Sequence, residues 1–169
     1  MTDYGHDLLF GTFISPAVQP VMHAVDLAIV ADRAGLDLAT FQDHPYLPTF
    51  HDTWTLLSYV ASRTERIHVS GNVLNLPERF RGRWILGRDP SAVRRLLNIS
   101  GQFASSGSGL LDGPPAQWAE QLAGLTLDYG ISGFILMVDD VTVTERFAAE
   151  IAPATRALVA AERAGAATR

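Results

Sequence analysis

The chain contains no cysteine. That rules out a disulfide framework, a thiolate metal site and a cysteine nucleophile, and it accords with a reducing cytoplasmic location. Charge is sparse too: charged residues make up 18% of the sequence and leave a formal net charge of -5, with a pI near 5.4. An acidic chain has no general attraction for a phosphate backbone or an anionic lipid surface, so neither nucleic acid nor a membrane is expected as a partner. Long apolar runs are missing as well. None approaches the roughly 18 residues of a membrane-spanning helix, and the segment from Met1 to Asp7 is polar and acidic, unlike a secretory leader. No internal repeat occurs at solenoid spacing. What is present is a 47% hydrophobic content over 169 residues, enough for one globular domain with a core.

The apolar runs are short and alternate with helical patterns. Leu8 to Ile14 suits a buried strand closed by Ser15-Pro16. Pro20 fits a first helical turn, and Val21, Val25, Ala28 and Ile29 recur at helical spacing up to Gly35, a natural C-cap. Leu36 to Phe41 forms a second strand and Gln42 to Phe50, with two prolines, a loop. Asp52 caps a helix whose stripe is Trp54, Leu57, Val60 and Ala61, and Ile67 to Leu74 is a third strand.

The rhythm breaks at the basic junction of residues 78–87. Asp89-Pro90-Ser91 then starts a short helix, Arg95 to Phe103 reads as a strand, and Ala104 to Pro115 is a glycine- and serine-rich loop. Gln117 to Tyr129 is a helix capped by Gly130, and Ile131 to Val138 is a fifth strand. A last helix from about Thr144 buries Phe147, Ile151, Leu158 and Val159 and is kinked by Pro153. Strands separated by helices imply parallel pairing through right-handed crossovers, hence an α/β fold.

Three stretches carry a family resemblance: Leu8-Leu-Phe-Gly-Thr-Phe13, Ala39-Thr-Phe-Gln-Asp-His-Pro45 and Val69-Ser-Gly-Asn-Val-Leu-Asn-Leu-Pro77. They are similar to the first three strand ends of luciferase-like monooxygenases, a family of flavin- and coenzyme F420-dependent oxidoreductases. Residues 87–160 resemble that family's closing seventh and eighth units, through Arg94-Arg-Leu-Leu-Asn-Ile-Ser-Gly101 and Tyr129-Gly-Ile-Ser-Gly-Phe-Ile135. A complete (β/α)8 barrel takes about 250 residues, so the resemblance implies an internally truncated TIM barrel. It would be one partial-barrel domain over residues 1–169, with N-terminal units at 8–77, a junction at 78–87 and C-terminal units at 88–165. About five parallel strands, units one to three and seven to eight, would remain with their flanking helices.

In a closed barrel the eighth strand neighbours the first, so the surviving strands should run seven, eight, one, two, three in one sheet. Units three and seven would become open edges, and a homodimer that covers them is the expected assembly.

Candidate site residues follow the second and third strands. Asp43 and His44 fall on the rim where barrel enzymes place catalytic groups; from the residues alone they can equally cap a proline-rich turn. The resemblance implies that His44 lies against a flavin or deazaflavin ring and transfers a proton, with Asp43 orienting it. It further implies that Ser70, Gly71, Asn72 and Val73 form a ring-supporting bulge with a cis Asn72-Val73 bond, where the residues alone allow an ordinary strand end. Gly107 and Gly109 could present backbone amides to a cofactor phosphate, or serve as a flexible connector.

Arg79, Arg81 and Arg83 fit a solvated junction better than a phosphate site, Asp139-Asp140 a turn and helix cap, and Trp54 and Trp118 the core. His6, His23, His51 and His68 show no metal-ligand spacing, and no metal is expected. The functional expectation is hydride transfer or monooxygenation on a small organic substrate with FMN or coenzyme F420. The missing phosphate-binding units would weaken that binding or abolish it. The alternative is a catalytically silent flavin-binding or dimeric scaffold.

Overall fold

The computed structural model describes residues 3–75, 94–103 and 109–167. The junction arginines, the helix start at Asp89 and Gly107 lie outside the described residues.

Five parallel strands form the main sheet: β1 (Leu9–Ile14), β2 (Leu38–Phe41), β3 (His68–Gly71), β4 (Leu96–Ile99) and, near the C-terminus, β7 (Gly133–Met137). Their order is β3-β2-β1-β7-β4, the order expected of a barrel that keeps units one to three and seven to eight. The fold is α/β with a partial barrel sheet flanked by helices. A small parallel pair, β5 (Gln102–Phe103) and β6 (Asp112–Gly113), stands beside it.

The helices are α1 (His23–Ala34), α2 (Thr53–Arg63), α3 (Pro115–Tyr129), α4 (Val141–Arg146), a π-helical turn over Phe147–Ile151, and α5 (Ala152–Ala167). Period-two alternation along the strands decides what they cover. Phe10 and Ile14 of β1, Ala39 and Phe41 of β2, and Phe134 and Leu136 of β7 all enter one buried core with residues of the helices. The Phe10 ring lies 5.8 Å from Phe134 and 5.7 Å, edge-on, from Phe147. Below the core Arg156 reaches from α5 to the start of the sheet. It bonds the Asp37 carboxylate at 2.6 Å, and the same carboxylate accepts the Phe10 N–H at 2.7 Å.

The opposite face carries Leu38 and Thr40 of β2, Leu96 and Asn98 of β4, and Ile135 of β7. β3 and β4 are the two outermost strands, yet Asn72 Nδ2, just after β3, donates to Asn98 Oδ1 of β4 at 2.9 Å. A side-chain bond between opposite edges requires the sheet to curl strongly, as a barrel wall does. Gly11 permits part of that curl, because a Cβ there would meet the Leu38 Cβ at 2.6 Å.

Several sequence expectations are corrected. Pro20 is not in the first turn of α1; the Gln19-Pro20 bond is cis, Met22 is left-handed at φ 67° and the helix begins at His23. The strand expected over Arg95 to Phe103 is two strands, broken where Gly101 passes so close to Leu111 that a Cβ would lie 2.0 Å from its carbonyl oxygen. Helix α2 buries Thr53, Leu56 and Val60, so its inner face is rotated from the expected stripe and Trp54 is 42% exposed. Leu158 likewise faces outward.

The final helix starts at Val141, and the irregularity expected at Pro153 takes the form of the π turn just before it. A proline ring clashes with the carbonyl four residues back, here Ala149, and a widened turn at that point relieves the clash. No helix among the described residues is long and apolar enough to cross a membrane.

Candidate functional site

The C-terminal ends of β2 and β3 build one corner of the rim. After β2 the chain continues as Gln42, Asp43 and His44, and the Gln42 carbonyl accepts the Thr53 hydroxyl at 2.9 Å, which pins the loop to the start of α2. Asp52 caps that helix by accepting the Thr55 N–H at 2.9 Å, as its position before the helix predicts. Asp43 is 2% exposed, and its Oδ2 accepts the Asn75 N–H at 2.9 Å. A buried carboxylate is tolerated when hydrogen-bonded, and this bond fastens the segment after β3 against the segment after β2.

His44 is half-buried beside Phe50, whose ring stacks on it at 6.2 Å. Its Nδ1 meets the Tyr46 hydroxyl at 2.8 Å. When that hydroxyl donates, the neutral imidazole carries its proton on Nε2; when the imidazole is protonated, Nδ1–H donates to the phenolic oxygen. Tyr46 therefore holds the ring in both states.

The Asn72-Val73 peptide is cis, the geometry expected at that bond. His44, Asp43, Tyr46, Asn72, Val73 and Asn75 share the lining of a rim cleft of about 410 Å3. Ser70 and Gly71 line a second cleft of about 470 Å3, which shares Asn72 and Val73 with the first and runs along the inner face of the sheet. Six of the eight candidate site residues are thus brought together. Gly109 is not among them: its carbonyl accepts from Gln117 and Gln121 of α3, and it lines neither cleft.

The remaining candidates are absorbed by structure. Asp140 caps α4 through the Val143 N–H at 2.8 Å, Asp139 accepts the Ser15 N–H at 2.9 Å, and Trp118 is fully buried. Among the described residues no group of His, Asp or Glu could hold a metal ion.

Sequence reasoning passed over Tyr46, Thr40 and Asn98. Asn98 had a visible signal, being the one polar residue in the strand Leu96–Ile99. Tyr46 had less, two residues from His44 across a proline.

Residues 8–80 match the model of the luciferase-like monooxygenase family. No curated protein matches the chain. The matched segment supplies β1, β2, β3 and the His44–Val73 rim, and it is over this segment that the chain is similar to the luciferase-like monooxygenase family.

Proposed function

We propose that the rim cleft receives the ring of FMN or of the deazaflavin coenzyme F420, and that the chain is an oxidoreductase acting on a small organic substrate. The observation that carries this reading is the convergence of His44 and Val73, from two different strand ends, on one cleft of about 410 Å3. The lining suits a flat ring. Val73 is 77% exposed and offers an apolar surface, while Asn72 and Asn75 supply amides at its side. When bound, the ring would supply the hydride chemistry. His44 would hold or release a proton at Nε2 while Tyr46 fixes its plane, and the Asp43 bond to Asn75 would keep the two loops at constant spacing.

Fluorescence titration of the purified chain with FMN and with coenzyme F420 tests the reading, and saturable binding of one of them is expected. His44→Ala should keep that affinity within a few fold and lower turnover by about 10²- to 10⁴-fold. Unchanged turnover in the variant removes His44 from the chemistry. Failure of both cofactors to bind leaves the silent scaffold as the reading.

The same proposal includes a homodimer. Among the described residues β3 and β4 each have a single strand neighbour, and an unpaired strand edge is a template for association. Light scattering at micromolar concentration should give twice the chain mass of 18.3 kDa; a clean monomer rejects the assembly.

A further inference from the structure

We propose that the N-terminal end of the sheet carries a second binding site, for a free α-amino acid with a small apolar side chain. Helical spacing on α5 places Arg156, Val159, Ala160 and Arg163 on one face, and that face meets Asp7 and Leu8 where the chain enters β1. Between them lies a cleft of about 370 Å3, near the lower end of the range for small-molecule sites. It sits at the opposite end of the strands from His44, so its ligand is independent of any ring at the rim.

Both arginines are held in place by bonds that leave donors over. Arg163 donates Nε and Nη2 to the Asp3 carboxylate at 2.8 Å each, and the Asp3 side chain is buried. Its Nη1 has no partner among the described residues. Arg156 donates through Nη2 alone, to Asp37 at 2.6 Å and to the Leu8 carbonyl at 3.4 Å, with its guanidinium 4.7 Å from the Phe10 ring centre. Its Nε and Nη1 remain. A guanidinium fixed along one edge presents its other N–H groups in a set direction, and that suits a planar carboxylate.

The charges decide the class of ligand. Asp3 and Asp37 offset the two arginines. Asp7 adds a carboxylate with no partner among the described residues; only its backbone carbonyl is engaged, by Arg94 Nη1, which holds the chain there and leaves the side chain available. The Asp7 charge is felt at Arg163. That guanidinium is raised above its ordinary range first by the Asp3 bond and, against a desolvation that lowers it, by the charges of Asp3 and Asp7. With Arg94 counted, three guanidinium groups stand against three carboxylates, so no surplus charge holds a plain anion or a plain cation. A zwitterion meets both needs: its carboxylate takes the spare N–H groups and its ammonium takes Asp7. Leu8 and Val159, both buried, and Ala160 supply the apolar wall for a side chain.

The test is an NMR titration of the full chain with L-leucine, with isocaproate, which lacks the ammonium, and with isoamylamine, which lacks the carboxylate. Leucine should shift the backbone amides of Leu8 and Ala160 saturably, and each analogue should bind at least about tenfold more weakly, the scale of one charge-assisted hydrogen bond. Asp7→Asn removes a carboxylate that bonds to nothing in the fold, so the variant should stay folded. It should weaken leucine by a similar factor and leave isocaproate no weaker. Absence of a saturable shift at Leu8 and Ala160, an analogue that binds as well as leucine, or unchanged leucine affinity in Asp7→Asn overturns the proposal.

Discussion

The two faces of the curled sheet differ in kind. The outer face is complete: Phe10, Phe41 and Phe134 are fully buried beneath helices, as in an intact barrel. The inner face is half of something larger, with Leu96 and Met137 each 48% exposed and Val73 more so. Stability and function are therefore expected to separate by face. The helix side holds the fold together, and the inner side and rim are left with surface to offer a ligand or a second chain.

The largest effect that could break this contrast is a matched pair of truncations on β7. Phe134→Ala, on the helix side, should cost about 3–5 kcal/mol in urea unfolding. Met137→Ala, on the inner side, should change stability by less than about 1 kcal/mol. Similar losses in the two would mean that the inner face is covered in solution.

A smaller effect concerns acid. Burial pushes the Asp32 carboxyl up, but the backbone N–H groups of Glu65, Ile67 and Arg66 overcome it and hold the group below its ordinary range. A depressed folded pKa gives stability that is present above the unfolded value, near 3.8, and is lost as pH falls through the folded one. Asp32→Asn should therefore lower stability at neutral pH and flatten its fall with acid, read by urea unfolding across a pH series. An unchanged acid slope would show that the carboxylate of α1 does not help hold the start of β3.

Much of the outer side was legible in the sequence, because burial there follows period two and period 3.6 with little competition. Gly35 and Gly130 both cap helices in the left-handed region at φ 90° and 69°, and the strand order followed from barrel geometry once the family resemblance had fixed which units remain. What escaped was tertiary. The inward rotation of α2 that exposes Trp54 depends on how the helix docks, and the break at Gly101 depends on the approach of Leu111, ten residues further along the chain and invisible to local pattern. At the site, the position of Asp43 and His44 on the rim could be read from order along the chain. The bonds by which Tyr46 holds His44 and Asp43 holds Asn75 could not, because the second joins residues 32 apart in sequence and the first depends on how the chain turns at Pro45. The family match over residues 8–80 leaves the C-terminal units resting on their place in the sheet, where β7 pairs in register with β1 from Leu9–Gly133 to Phe13–Met137.

The most direct test of the central claim, that this partial barrel keeps a working ring site at its rim, is a side-by-side cofactor titration of the unmodified chain and Val73→Asp. Val73 is largely exposed, so the substitution should leave the melting temperature within a few degrees. The expected result is saturable quenching of FMN or coenzyme F420 fluorescence by the unmodified chain and at least tenfold weaker binding by the folded variant. Equal affinities in the two would contradict the claim.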